Sequence, residues 1–354
     1  MRFYNRAAWG AAVAGAAALG LSAGCTNPGA QSSSTDASPS AGTAAAGGAS
    51  PAATAALKLT EPTVPTIAIP SGPAKKAYKI GVSLLTRDDE FYKALEQGLR
   101  DEATKQKVEV NILSAEKDLS KQVNQIQTFI AEKDDAIILC PVDSQGVTAA
   151  VAQANAAKIP VFTADIASKG GKIVSHVASD NIQGGRLVGE YVGKTILNGK
   201  GNVAILDLST VSSVQDRVRG FKEALAKYPN IKIVADQDVD GAKRENAVPK
   251  ATNILTAHPE INVIFGINDP VALGAVSALK QVNNSTISVV GFDAVPEAQS
   301  YIRAGGSLKA DAIQYPHVIG AGTIDVIVKS LNGEPVPALI PIPSGLVTAS
   351  SFAK

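Results

Sequence analysis

The chain has 354 residues, 45% hydrophobic and 18% charged, with 33 basic against 32 acidic side chains. That is enough for two modest domains with apolar cores. A net charge of +1 does not supply the basic surface that phosphate neutralisation needs, so nucleic acid is excluded as a partner.

The N-terminus, "MRFYNRAAWGAAVAGAAALGLSAGC", places Arg2 and Arg6 ahead of an Ala-rich apolar stretch and ends in small residues before Cys25. This is the layout of a secretory signal. The stretch is short and poor in large apolar side chains for a membrane span. "LSAGC" resembles a bacterial lipobox, with Ser22 where Leu is commoner. The resemblance implies a signal peptide over residues 1–24, lipidation of Cys25 and an extracytoplasmic protein held to the membrane by its lipid. Cys140 is then left alone, and no internal disulfide is expected in the mature monomer. Residues 25–76, rich in Ala, Ser, Thr, Gly and Pro, cannot bury enough apolar surface to offset chain entropy and are expected to form a disordered tether.

From Tyr78 short apolar runs alternate with longer amphipathic ones. "YKIGVSLL", "VEVNIL", "AIILC" and "IPVFTA" have strand character; "EFYKALEQGLRDEATKQ", "SKQVNQIQTFIAEK" and "QGVTAAVAQANAA" have helix character, with Phe91, Leu95 and Leu99 on one helical face. A second series runs "GGRLVGEYVGKTIL", "GNVAIL", "SSVQDRVRGFKEALAKY", "IKIVAD", "ENAVPKATNILTA", "INVIFG", "DPVALGAVSALKQV", "ISVVGFD". Strand alternating with helix predicts an α/β fold with parallel sheets, and two such series predict two lobes with a cleft between them.

Open α/β sheets bind ligands beyond the carboxyl ends of their strands. Polar residues recur there: Asp89 in "LLTRDDEF", Asp165 in "FTADI", Asn268 in "FGINDP", Asp293 in "VVGFDAVP" and Gln314 in "KADAIQYP", with Arg217 in the helix start "SSVQDRVRGF". Each alone is a natural cap or turn residue; several converging on one edge suggest a polar clamp. In "FGINDP" Asn268 ends a strand, Asp269 is the expected helix N-cap and Pro270 fits the first helical turn.

"VSHVASDNIQGGRLVGEY", "LTAHPEINVIFGINDPVALGAVSAL" and "ISVVGFDAVPEA" resemble the ribose-binding protein family, the type I periplasmic sugar-binding proteins of ABC importers, in the same order along the chain. The resemblance runs from about Tyr78 to near the C-terminus. It implies two Rossmann-like lobes joined by a three-segment hinge, with residues 77–181 plus 315–343 in the N-terminal lobe and 182–314 plus 344–354 in the C-terminal lobe. It also implies a monomer that closes on a small neutral sugar or polyol and hands it to a membrane permease. In the family's terms Asp89 is the first-loop polar residue, Phe91 and Tyr92 the two aromatics that sandwich the sugar ring, and Asp165, Arg217, Asn268, Asp293 and Gln314 the polar clamp. Carboxylates accept hydrogen bonds from neighbouring hydroxyls and guanidinium or amide groups donate to them, which suits a neutral hydroxylated ligand.

Four positions depart from the family pattern. Ile166 stands where an Arg often follows the fourth-strand Asp, Cys140 replaces an Asn near the third-strand end, Asp89 replaces a first-loop Asn, and Gly241 lies where a bulky aromatic is expected. Three carboxylates then face one Arg, and a wall and a donor are missing. The departures point away from ribose and towards a hydroxyl-rich hexose, inositol or polyol, or a ligand bearing an amino group.

Catalytic readings fail on spacing. "GEYVGKT" has one residue too few for a phosphate-binding loop and lies in a helical pattern, and "GKGNVA" precedes a strand where the dinucleotide fingerprint must follow one. His176, His258 and His317 show no metal-type spacing. No enzyme activity, cofactor or metal is expected. Lactose-repressor-type regulators share the implied fold but carry a helix-turn-helix where this chain has its signal and tether. A sugar-sensing receptor role in chemotaxis or signalling remains the alternative to transport.

Overall fold

The computed structural model describes residues 64–65 and 72–352, so the signal segment, Cys25 and nearly all of the tether lie outside it. Two six-stranded sheets carry the architecture. The first contains β1 (Lys79–Leu84), β2 (Glu109–Ser114), β3 (Ala136–Leu139), β4 (Val161–Ala164), β5 (Ile173–Ser179) and β11 (Leu339–Ile342), in the order β11-β5-β4-β3-β1-β2. The second contains β6 (Lys200–Asp207), β7 (Asn230–Asp238), β8 (Val263–Gly266), β9 (Ser288–Asp293), β10 (Leu308–Ile313) and β12 (Gly345–Thr348), in the order β12-β10-β9-β8-β6-β7. The pairings are parallel except β10 with β12. The expected α/β fold of two parallel-sheet lobes is what forms.

The chain passes between the sheets three times: after β5, after β10, and between β11 and β12. In sequence the last two strands are short, and β5, "IVSHVAS", is interrupted by Ser175 and His176, so it shows neither strict alternation nor a continuous apolar run. The periodicity therefore passed over them.

The helices form for local reasons that also place the site. Helix α1 (Glu90–Gln106) starts at Asp89, whose side chain accepts from the Tyr92 backbone N–H at 2.9 Å, an N-cap with Glu90 in the first turn. Its buried stripe includes Phe91, Leu95, Leu99 and Ala103, the four-residue spacing of one helix face. Helix α7 (Asp269–Gln281) is capped by Asn268, whose Oδ1 accepts from Val271 N–H at 3.0 Å. Asp269, expected as the cap, is instead the first helical residue and fully buried. The extended backbone at Asn268 (φ −151°, ψ 170°) is what a cap requires, and it turns the next side chain inward.

Each lobe contains a helix pair in backbone contact. Helix α4 (Asn181–Tyr191) crosses α5 (Ser212–Leu225) with Gly185 and Gly220 at the contact: a Cβ on Gly185 would strike the Arg217 carbonyl, and one on Gly220 the Ile182 carbonyl. In the other lobe α1 crosses α9 (Pro316–Leu331) through Gly98 and Gly320, which face the carbonyls of His317 and Leu95. The "GEYVGKT" stretch continues α4 into a single π-helical turn, Val192–Ile196, and is helix as expected.

Because Arg217 lies on the second turn of α5, the α4–α5 crossing fixes its height above the sheet. Gly185→Ala is expected to lower stability by about 1 to 3 kcal/mol through overpacking, as read by urea denaturation, and also to weaken ligand binding. Gly98→Ala, at the matching crossing remote from Arg217, is expected to lower stability with a smaller effect on binding.

Candidate ligand-binding cleft

A cavity of about 300 Å³ lies between the carboxyl ends of the two sheets. Ten of the eleven residues expected to contact ligand line it: Asp89, Phe91, Tyr92, Asp165 and Ile166 from one lobe, Arg217, Gly241, Asn268 and Asp293 from the other, and Gln314 at the second crossing. The lobes meet beside it through Ser144 and Ser212: the Ser212 N–H donates to Ser144 Oγ (3.0 Å), and the Ala167 N–H donates to Ser212 Oγ (2.9 Å).

The guanidinium of Arg217 is buried. Its Nε donates to Asn181 Oδ1 (2.8 Å) and its Nη1 to the Ile267 carbonyl (2.9 Å), while its carbon sits 4.1 Å from the Phe292 ring centroid. These contacts leave it one orientation. Asp293 Oδ1 is 3.6 Å from Nη1 and accepts from Gln314 Nε2 at 2.6 Å.

Asp293 ends β9 at φ 118°, and Ala294 follows at φ 53°, a left-handed pair that ordinary residues avoid. Two buried carboxyls hold it: Asp311 Oδ1 accepts from Ala294 N–H (3.1 Å) and Asp269 Oδ2 from Val295 N–H (2.7 Å). The remaining oxygens, Asp269 Oδ1 and Asp311 Oδ2, have no other donor. Burial pushes both carboxyls up; at Asp269 the charge of Asp311 adds to the rise, whereas at Asp311 the hydrogen bond with Asp269 opposes it and the Asp293 charge adds to it, the pattern of a pair that shares one proton. Asp311 was legible only as a charge inside the apolar strand "KADAIQ".

Across the cleft, Asp165 also sits at positive φ (65°) and receives the Tyr92 hydroxyl on Oδ2 at 2.6 Å. Its Oδ1 is buried without a partner, as is Gln314 Oε1. Burial raises the Asp165 pKa to about 6, the Arg217 charge only partly opposing it. Burial likewise raises Asp293 well above the carboxylate range.

Three expectations need correction. Cys140 is fully buried and does not line the cavity. Its N–H continues the ladder to the Ser83 carbonyl (2.9 Å), which keeps the side chain in the core, and the cleft wall passes to Val142 and Asp143. Phe91 and Tyr92 do not bracket a ring between them: their rings pack edge-to-face with centroids 5.2 Å apart, so together they form one wall. The gap expected at Gly241 is bridged, because Lys117 Nζ crosses from the other lobe and donates to the Gly241 carbonyl at 2.8 Å. Lys117 lies in the turn after β2, and no periodicity or motif singled it out.

His176 bonds Thr163 (2.8 Å), His317 bonds Asp101 (2.9 Å) and His258 lies 3.4 Å from Glu260; none of the three lines the cavity.

The chain matches the pattern of the periplasmic binding protein domain over residues 80–335. The ribose import binding protein of Salmonella typhimurium (strain LT2) is 33% identical over 268 residues, covering 76% of this chain and 90% of that protein. Among solved structures, the Caulobacter myo-inositol binding protein bound to myo-inositol superimposes with a TM-score of 0.73 at 29% identity, over 79% of this chain and 96% of that one. An ABC transporter solute binding protein from Mycobacterium smegmatis with bound glycerol gives 0.73 at 33% identity, over 79% and 100%.

Buried in the folded protein, Asp165 holds its proton more tightly than in the unfolded chain. The stability this confers is complete below about pH 3.8 and is lost as pH rises to about 6. Asp165→Asn, neutral throughout, is expected to remove a fall on the order of 3 kcal/mol across that window, measured as unfolding free energy in urea between pH 4 and 7.

Proposed function

The chain belongs to the periplasmic sugar-binding protein family that includes the ribose import binding proteins, and from that premise we propose that it captures one small neutral sugar or polyol by lobe closure and delivers it to the membrane permease of an ABC importer. Its place is extracytoplasmic. The proposal includes a lipid on Cys25, which the "LSAGC" segment supports, and a monomeric working form.

One observation carries the choice of ligand class. The cavity walls offer buried acceptors without donors, Asp165 Oδ1 and Gln314 Oε1, around a single oriented guanidinium. Hydroxyl groups both donate and accept, so a polyhydroxylated ligand satisfies the carboxylate, the amide oxygen and the guanidinium with one kind of group. Asn268 adds a donor, since only its Oδ1 is used in capping α7. The Phe91–Tyr92 wall covers an apolar C–H face. An amino-bearing ligand is the second reading, favoured by the excess of carboxylates over Arg217.

A thermal-shift panel of pentoses, hexoses, inositols and linear polyols is the test, because a ligand that binds only the folded state raises stability in step with its affinity. A hydroxyl-rich hexose, inositol or polyol is expected to give the largest shift, with ribose weaker. A flat response to the whole panel would remove the reading. Arg217→Ala and Asp293→Ala are each expected to cost about 2 to 5 kcal/mol of binding by calorimetry, because each truncation leaves buried polar partners unpaired.

A further inference from the structure

We infer that Lys117 is a specificity-determining residue of the cleft, replacing an aromatic wall with a hydrogen-bonding strap that ties the two lobes together over the ligand. This rests on the reading of the cleft as a sugar or polyol site that closes.

The strap is built into the backbone of both lobes. Glu116 and Lys117 are consecutive non-glycine residues in the left-handed region (φ 53° and 62°). Such strain persists only where surrounding bonds over-determine it, and here the Lys117 N–H donates to the Leu85 carbonyl and the Asp118 N–H to the Ala115 carbonyl, each near 3 Å. The turn aims the lysine out of its own lobe. On the far side Gly241 also sits at positive φ (62°), which favours glycine and leaves its carbonyl to receive Nζ at 2.8 Å.

Glycine at 241 and lysine at 117 are complementary. A Cβ placed on Gly241 would touch Lys117 Cδ at 3.6 Å and Lys243 Cγ and Cε at 3.5 Å. A side chain longer than Cβ at 241 would start in contact with the stems of Lys117 and Lys243, and glycine leaves that space to them. Together with Asp89, Phe91 and Asp293, Lys117 borders both the 300 Å³ cavity containing Arg217 and a second cavity of about 380 Å³, which Lys243, Glu245 and Glu297 also line.

The exchange changes what the wall can recognise. An aromatic face covers C–H groups, whereas an alkyl stem ending in an ammonium adds N–H donors beyond the one spent on Gly241. Desolvation pulls the Lys117 pKa down and the neighbouring Asp89 charge opposes that fall. The edge of the ligand that faces Gly241 is therefore selected to carry a hydroxyl oxygen, as in an inositol or a linear polyol. The bond to Gly241 exists only when the lobes are together, so Lys117 also slows ligand release.

The test compares wild type with Lys117→Met, which keeps the stem and removes the ammonium, and Lys117→Ala, which removes both. Each is titrated calorimetrically with myo-inositol, xylitol and D-ribose, and small-angle scattering records compactness with and without each compound. For whichever compound wild type binds best, Lys117→Met is expected to weaken affinity about tenfold or more and to narrow the preference over the other two. Unchanged affinity and preference in a folded Lys117→Met protein would overturn the strap while leaving the binding function intact. Failure of wild type to bind any of the three leaves the proposed function to be judged on the full thermal-shift panel. The strap is then judged on ligand-free scattering: a more expanded Lys117→Met protein supports it, and superimposable profiles overturn it.

Discussion

A buried guanidinium is the constraint from which the rest of the cleft follows. Burying the Arg217 charge is unfavourable unless acceptors and π-faces surround it, and here Asn181, the Ile267 carbonyl, Phe292 and Asp293 supply them on the protein side. Asn181 opens α4, Ile267 follows β8, and Phe292 and Asp293 end β9. One side chain thus ties a helix and two adjacent strands of the second sheet, and its position sets the floor of the site. The glycine crossing of α4 and α5 is the backbone counterpart of the same requirement, since only that close an approach puts Asn181 within reach of Arg217.

The acidic surroundings are arranged around this cation at two depths. Asp293 lies beside the guanidinium and in the cavity wall. Asp269 and Asp311 lie below it, and their role is to hold the left-handed Asp293–Ala294 corner open through the Ala294 and Val295 N–H groups. Two adjacent buried carboxyls cannot both ionise at moderate cost, so a shared proton turns a repulsive pair into a rigid support. The acid in the cavity wall and the acids that shape the loop are chemically alike and structurally separate.

Much of this was legible in the sequence, for identifiable reasons. Buried parallel strands are continuous apolar runs, and their carboxyl ends are where polar residues must be explained; that rule located Asp165, Asn268, Asp293 and Gln314 before any geometry. Arg217 was singled out beside them at a helix start, and the motif resemblance added Phe91, Tyr92, Ile166 and Gly241. What the sequence concealed were interactions between distant segments. Asp269 and Asn268 both suit a helix cap, and only the backbone angles decide between them. Cys140 follows an apolar run like the other candidates, yet its ladder bond to Ser83 keeps it in the core. Lys117 and Gly241 are 124 residues apart, and nothing local to either announces the other.

The electrostatics of the cleft bear on the ligand class proposed for it. Burial raises Asp165 and Asp293; Asp293 receives Gln314 and faces Arg217, whereas Asp165 Oδ1 receives no donor. Under the proposed function, a ligand with several hydroxyls supplies the donors that the protein does not. On that reading, selectivity for donor-rich molecules has one physical origin, the unpartnered acceptor oxygens of Asp165 and Gln314 in the cavity wall.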